Sequence, residues 1–177
     1  MSNLSYYAYA NTPIGKMLLI ANANRLRGSY WVNQKRVPKM GKTWVYREQM
    51  RCFKDFKQQL AEYFRGQRSQ FEVDYMFEGT RLQKATWSQL ALIPYGTRVS
   101  YKALAQAIAL PHAVRAVATA VGYNPLMLVL PCHRVVRSNG KLGGFSAGIG
   151  VKQRLLDLEQ HSEAEQQSAQ SKATKSE

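Results

Sequence analysis

The sequence predicts an α+β fold: a small N-terminal α/β unit with an antiparallel sheet, followed by a helical C-terminal unit that contains a helix-turn-helix. Three observations support this prediction. Two short β-rich segments near the N-terminus flank a turn that contains Pro and Gly, and apolar residues recur at helical spacing between positions 47 and 64. After position 100, two short helical segments follow each other closely, as in a helix-turn-helix.

The residue pattern in the first half of the chain predicts three strands and one helix. The expected elements are strands at 6–9, 16–21 and 28–32, an exposed basic loop at 33–42, and an amphipathic helix at 47–64. Pro13 and Gly15 lie in the turn between the first two strands. Gly66 follows the amphipathic pattern directly, so we expect the helix to end there.

The second half predicts four helices. They are expected to run from Thr80 toward Leu92, over 101–108, over 111–121 and over 151–159. Thr80 and Ser100 are of the residue types that cap helix N-termini, and Pro111 suits the first position of a helix. A strand-like apolar run from Leu126 to Leu130 precedes Pro131.

The elements divide the chain into three parts. We expect the N-terminal α/β domain to cover residues 1–78 and the C-terminal domain to cover residues 79–160. Residues 161–177 contain no aromatic or large aliphatic side chain, so we expect a disordered tail there.

Charge gives the first indication of function. The formal net charge is +14 and the isoelectric point is near 10.0. A protein this basic either binds a polyanion such as nucleic acid or presents a solvated basic face. The chain has no run of eighteen apolar residues and no signal-peptide pattern at its N-terminus, so we expect a cytoplasmic protein without membrane association.

The cysteines and histidines do not indicate a metal site. Only Cys52 and Cys132 are present, and the three histidines are His112, His133 and His161. None of them shows the spacing of zinc ligands, so we expect no metal. A disulfide between the two cysteines is conceivable, but a cytoplasmic chain favours free thiols.

Cys132 stands next to His133 and Arg134. A thiol becomes a strong nucleophile as the thiolate, which requires a nearby base or positive charge. Neighbouring side chains on an extended chain point to opposite faces, so we expect His133 to act through a water molecule rather than by direct contact. Taken alone, the pair is also compatible with a small buried cysteine in an apolar core.

The surrounding motifs favour the interpretation of Cys132 as a nucleophile over that of a buried core cysteine. The chain contains the run Pro131-Cys132-His133-Arg134-Val135. Further motifs are 98–101 (Arg-Val-Ser-Tyr), 115–117 (Arg-Ala-Val), 124–125 (Asn-Pro), 138–140 (Ser-Asn-Gly), 143–145 (Gly-Gly-Phe) and the positions Lys152, Leu155, Leu156 and Glu159. In their order and spacing they resemble the O6-alkylguanine-DNA alkyltransferases, strongly from Thr80 to Glu159 and more weakly in the first half.

The resemblance implies a fold and a chemistry. The N-terminal unit would be ribonuclease H-like and the C-terminal unit winged-helix-like. Cys132 would accept the alkyl group, and His133 would draw off the thiol proton. Glu159 would orient His133 and stabilise its charged form, which is the logic of a nucleophile with an oriented base.

The resemblance also implies roles for two further catalytic residues. Tyr101 would donate a proton to the leaving guanine. Asn124 would hold the turn that precedes the active site. Taken alone, an aromatic residue at a helix start commonly packs in the core, and an Asn-Pro pair is an ordinary turn signal.

The implied partner is double-stranded DNA that carries O6-alkylguanine, and O4-alkylthymine is a second candidate substrate. The target base must be flipped out of the stack, and Arg115 would fill the gap that it leaves. Tyr101, Ser100 and Ala116 would also lie at the DNA interface, with the second helix of the helix-turn-helix in the minor groove. Without the resemblance, the alanines of this helix indicate close helix packing.

The base would enter a pocket formed by Met127, Val135, Phe145 and Ser146. Phe145 stands where relatives commonly carry a tyrosine, so the ring is retained and a hydroxyl is lost. We expect no cofactor, and we expect the protein to act as a monomer that is consumed in a single reaction.

Three alternatives remain open from the sequence. An alkyltransferase-like protein binds lesions without repair, but such proteins lack the acceptor cysteine. A winged-helix transcription regulator fits the charge and the helix-turn-helix, yet it leaves the run 131–135 unexplained. A cysteine hydrolase could use Cys132 and His133, although it has no need for so much positive charge.

Overall fold

The structure is a computed structural model that describes residues 4–173, and for residues 163–173 it describes the backbone alone. The N-terminal unit is built on a four-stranded sheet with the order β3-β2-β1-β4. Its strands are β1 (Ser5–Thr12), β2 (Gly15–Asn22), β3 (Arg25–Trp31) and β4 (Trp44–Tyr46). The first three pair antiparallel, as expected for the predicted antiparallel sheet. The short β4 pairs parallel with β1 and was not predicted.

Helix α1 (Arg51–Phe64) covers one face of this sheet. Its apolar stripe is buried, and Phe53, Phe56 and Tyr63 are almost fully shielded from solvent. Gly66 adopts a φ of +71° and ends the helix as expected. The same apolar core continues into the second unit, because residues from α1 and from the later helices belong to one buried cluster.

The C-terminal unit is mainly helical. Its elements are α2 (Arg81–Leu90), β5 (Val99–Ser100), α3 (Tyr101–Ala107), α4 (Val114–Gly122), a single 3-10 turn (Cys132–Arg134), β6 (Val135–Val136) and α5 (Ile149–Ala173). Thr80 caps α2 through a reciprocal capping box with Gln83, and the Ser100 hydroxyl accepts a hydrogen bond from the Ala103 amide. The α+β fold class is therefore confirmed.

Two local expectations are wrong. Pro111 does not begin a helix, because α4 starts three residues later at Val114. The run Leu126 to Leu130 is not a strand. It forms a turn in which Leu128 adopts a φ of +74°, and it is buried between the two units, which explains its apolar composition.

The last helix is longer than expected. The pattern predicted an end near Glu159, with a disordered tail from residue 161. Instead, α5 continues through Ala173, and Ser162 is buried with its hydroxyl donating to the Leu158 carbonyl. Residues 174–177 of the expected tail lie outside the described residues. Within the described part of the chain, no helix has the length and apolar character needed to cross a membrane.

Strand β3 joins the two units directly. The Ser29 amide donates to the Pro125 carbonyl, and the Met127 amide donates to the Ser29 carbonyl. The Ser29 hydroxyl adds a third bond, to the Met127 carbonyl at 2.8 Å. The edge of the N-terminal sheet therefore holds the segment that leads into the run 131–135 around Cys132.

Candidate active site

Cys132 begins the 3-10 turn that follows Pro131, and only 2% of its surface is exposed. Its Sγ accepts a hydrogen bond from Asn124 Nδ2 at 3.0 Å and lies 3.5 Å from the Met127 sulfur. The backbone here is a tight turn rather than a strand. The expectation that Cys132 and His133 lie on an extended chain is therefore wrong.

Asn124 connects three points of this loop. Its Nδ2 donates to the Leu130 carbonyl at 2.7 Å as well as to the Cys132 sulfur, and its Oδ1 accepts from the Leu126 amide at 2.9 Å. All polar atoms of the buried amide are thus engaged. The side chain fixes the turn 126–130 against the cysteine that follows it.

Glu159 lies at the centre of a buried polar network beneath Cys132. Its carboxylate is fully shielded from solvent and lies 2.7 Å from Nε2 of His133. Arg134 donates to both carboxylate oxygens, with Nε and Nη2 at 3.0 Å. The Tyr63 hydroxyl and the Gly96 amide complete the set of donors, at 2.8 and 3.0 Å.

This environment keeps Glu159 ionised. Burial alone would raise the pKa of the carboxyl, but the bonds from His133 and Arg134 outweigh it and lower the pKa to about 2. Burial lowers the pKa of His133, although Glu159 acts in the opposite direction. At neutral pH the resting pair is therefore a carboxylate beside a neutral imidazole, and the neutral imidazole can accept a proton.

The resting cysteine is a thiol. Burial raises the pKa of Cys132 to about 11, and the hydrogen bond from Asn124 and the charge of Lys152 offset only part of this effect. The site therefore holds a protonated thiol and, at His133, a neutral imidazole that can accept a proton.

Lys152 supplies positive charge from α5. Its ammonium donates to the carbonyls of Val135 and Leu142, at 2.5 and 2.6 Å, and lies 5.9 Å from the ring centres of Tyr101 and Phe145. Burial lowers the pKa of Lys152 to about 8, while the nearby Cys132 acts in the opposite direction. The ammonium is thus positioned to favour negative charge on sulfur.

A cavity of about 530 Å³ opens above Cys132, within the size range of small-ligand sites. Tyr101, Phe145 and Ser146 line it, together with Arg115 from α4. The other two predicted pocket residues, Met127 and Val135, are buried and do not line it. In this structure the Val135 carbonyl accepts from Lys152.

The predicted DNA-binding residues lie at or near this opening. Arg115 and Ala116 are exposed on α4, the second helix of the helix-turn-helix. Tyr101 is half-buried at the start of α3, with its hydroxyl 3.5 Å from the Gly144 carbonyl. Ser100 is half-buried as well, and its hydroxyl is used to cap α3.

Sequence reasoning missed Arg134 and Tyr63 as partners of Glu159. Arg134 stands within the motif and was considered only as a source of charge for Cys132. Tyr63 lies 96 residues from Glu159 and carries no local signal. Among the described residues, no three His, Cys, Asp or Glu side chains are arranged to hold a metal ion.

The fold and the site together define a class: a protein with a buried cysteine at a cavity, a histidine bonded to a buried carboxylate beside it, and a helix-turn-helix at the opening. The chain belongs to the 6-O-methylguanine DNA methyltransferase family. Its residues 5–75 match the model of the family's ribonuclease-like domain, and residues 81–161 match the model of the DNA-binding domain.

Individual relatives agree with this assignment. The chain is 38% identical over 154 residues to a methylated-DNA--protein-cysteine methyltransferase of Methanosarcina acetivorans, covering 87% of this chain and 97% of that protein. A protein of the same name from Mycolicibacterium paratuberculosis is 38% identical over 159 residues, covering 89% and 94%. Crystallised Mycobacterium tuberculosis OGT in complex with DNA superposes with a TM-score of 0.82 at 34% identity, covering 89% and 94%.

Proposed function

We propose that this protein repairs DNA by direct reversal, transferring the alkyl group of O6-alkylguanine in duplex DNA irreversibly to Cys132. The observation that carries the proposal is the arrangement of Cys132 at the base of a basic cavity, above the buried network of His133 and Glu159. Relatives that share most of the chain bear the name of this activity. The activity is that of a methylated-DNA-[protein]-cysteine S-methyltransferase.

Activation begins with proton removal. We assign His133 as the base, which takes the thiol proton of Cys132 through an intervening water. The imidazolium that forms lies beside the ionised Glu159, whose charge stabilises it. Lys152 and the Asn124 amide favour the thiolate.

The alkyl group is then transferred from guanine to sulfur. The thiolate attacks the alkyl carbon, a carbon–sulfur bond forms, and the bond from that carbon to guanine O6 breaks with its electron pair moving onto the base. Tyr101, which lines the cavity, is assigned as the proton donor to the leaving guanine. Burial raises the pKa of Tyr101, so the phenol holds its proton until the base departs.

The protein should be consumed one molecule per lesion. The product on Cys132 is a thioether, which has no acyl carbon for water to attack, in contrast to the thioester of a cysteine hydrolase. The reaction as written requires no cofactor. We further propose that the protein acts as a monomer in the cytoplasm, and that Arg115 occupies the space left by the flipped nucleotide.

The proposal is tested by mixing the protein with an excess of duplex that carries O6-methylguanine and weighing its tryptic peptides. We expect product to plateau at one equivalent per active protein, with one methyl on the peptide that contains Cys132. Cys132→Ser should abolish transfer while duplex binding persists. Cys52→Ser is the matched control, because Cys52 is equally buried but lies on α1 away from the cavity, and it should react normally.

Two outcomes would contradict the proposal. Repeated turnover would indicate a hydrolase. Tight binding to the lesion without any methyl on Cys132 would indicate an alkyltransferase-like protein.

A further inference from the structure

The N-terminal unit contributes to the rim of the active-site cavity. Lys35 and Arg36, from the basic loop between β3 and β4, line the same cavity as Cys132. Arg115 of α4 and Arg137 line it from the C-terminal unit. All four cationic side chains are exposed, and no carboxylate is among the lining residues.

Two contacts restrain the exposed side chain of Arg36. Its guanidinium lies 4.3 Å from the ring centre of Tyr123, and its Nη1 donates to the Gly122 carbonyl at the end of α4. A stacked guanidinium is weakly hydrated and has lost much of its rotamer freedom, so it can bind a phosphate at a small entropic cost.

The backbone at Arg36 is unusual. Its φ is +64°, a left-handed conformation that costs a residue with a Cβ about 1 kcal/mol or more. Neighbouring bonds enforce this conformation. Gln34 accepts from the Trp31 amide with its side chain, and the Lys35 amide donates to the Ser146 carbonyl in the loop beside Cys132.

We propose that Arg36 binds a backbone phosphate of the lesion strand next to the flipped nucleotide. This inference rests on the proposed function, because it requires a nucleotide to enter the cavity. Flipping brings the phosphates on either side of that nucleotide to the rim of the cavity, which Arg36 and Arg115 both line. The strained and stacked arginine would then position the strand from the N-terminal side.

An alternative role for Arg36 is purely structural. A cation that bonds the last carbonyls of α4 stabilises that helix end, and the contact also joins the two units. This role predicts a loss of stability without any dependence on a particular phosphate. Binding measurements on modified DNA separate the two roles.

The experiment uses the full chain carrying Cys132→Ser, so that no repair occurs, and duplexes with O6-methylguanine. In each duplex a single phosphate near the lesion is replaced by a neutral methylphosphonate. We expect one position beside the lesion to weaken binding about 10-fold. Arg36→Ala should weaken binding to the unmodified duplex by a similar factor, and the methylphosphonate at that position should then cost nothing further.

Two variants serve as controls. Lys39→Ala removes the same charge from the same loop, but Lys39 does not line the cavity, so the position effect should persist. Arg36→Lys replaces Arg36→Ala if the latter fails to fold. It retains the charge and should retain part of the binding loss caused by the methylphosphonate beside the lesion. Two results would overturn the inference. One is that the methylphosphonate and Arg36→Ala weaken binding additively at every position. The other is that no single methylphosphonate weakens binding of the protein that retains Arg36. Failure of the proposed function would appear instead as an unmethylated Cys132 in the protein that retains the thiol.

Discussion

Glu159 carries more interactions than any other side chain near Cys132, because His133, Arg134, Tyr63 and Gly96 all converge on it. Its carboxylate serves two purposes. It balances the charge of Arg134, which is only 6% exposed, and it holds the imidazole in place. Stability and chemistry therefore depend on the same group.

Glu159→Gln should be strongly destabilising, because it leaves the Arg134 guanidinium buried without a counter-charge. We expect the free energy of unfolding to fall by about 3–5 kcal/mol, measured by urea denaturation. Adding Arg134→Met to this variant should recover part of the loss, because the unpaired charge is then gone. Equal and additive losses for the two substitutions would show that the two side chains are not coupled.

The same network predicts sensitivity to acid. Glu159 has a pKa lowered to about 2, so its contribution is fully present above pH 4.5 and is lost as the pH falls toward 2. Burial lowers the pKa of His133 in the folded protein. As the pH falls, the imidazole is therefore protonated in the unfolded chain first, which favours unfolding. Both effects make stability rise with pH, by a few kcal/mol in total between pH 3 and pH 7.

Urea midpoints measured from pH 3 to pH 7 test this prediction. His133→Gln should flatten the part of the curve between pH 7 and pH 5, because it removes a histidine that the unfolded chain protonates over this range. A curve that rises toward acid pH would contradict the assignment of a neutral buried imidazole.

At the scale of elements, the contact between β3 and the segment 125–127 deserves a direct test. Ser29 is fully buried, and its hydroxyl supports the Met127 carbonyl. Leu128, the next residue, has a φ of +74°, so the turn that leads to Cys132 is strained and depends on its surroundings. The sheet edge therefore contributes to the placement of Cys132.

Ser29→Ala should cost about 1–3 kcal/mol of stability, because a buried carbonyl loses its hydroxyl donor. We also expect slower methyl transfer from the bound complex, measured in single-turnover assays, with little change in the affinity for DNA. Thr80→Ala is the control. It removes the cap of α2 at a cost of about 1 kcal/mol and should leave the transfer rate unchanged. Equal rates in both variants would show that Ser29 only stabilises the fold.

At the scale of the whole molecule, the net charge of +14 predicts strong dependence of DNA binding on salt. If at least four phosphates are neutralised, as the four cations at the cavity rim suggest, the logarithm of the binding constant should fall with a slope of about −3.6 or steeper. Anisotropy titrations between 50 and 200 mM salt measure this slope. A slope near zero would mean that the basic residues serve only as a solvated face.

The sequence predicted best those features that depend on residues close together in the chain. The capping residues Thr80 and Ser100 and the amphipathic pattern of α1 each depend on neighbours a few positions away. Both caps are confirmed, and α1 is confirmed as a helix, although it begins at Arg51 rather than at residue 47. Strand β4 has only three residues and pairs parallel with β1, so it offered no alternating pattern to find.

The errors arose where distant segments meet. The run Leu126 to Leu130 looked like a strand because a short apolar run does not reveal its own conformation. Its burial comes from β3, about a hundred residues earlier. The partners of Glu159 show the same limit, since Tyr63 is separated from it by 96 residues. Only the folded chain brings these groups together.

The burial of Cys132 has a consequence for the lifetime of the protein. With 2% of its surface exposed and a pKa raised by burial to about 11, this thiol is almost entirely protonated at neutral pH. Peroxide and soluble electrophiles attack thiolates, so they find almost nothing to react with. A protein whose Cys132 reacts only once therefore keeps this thiol unmodified until it meets damaged DNA. The rate at which unbound protein is inactivated is set by the small fraction of thiolate.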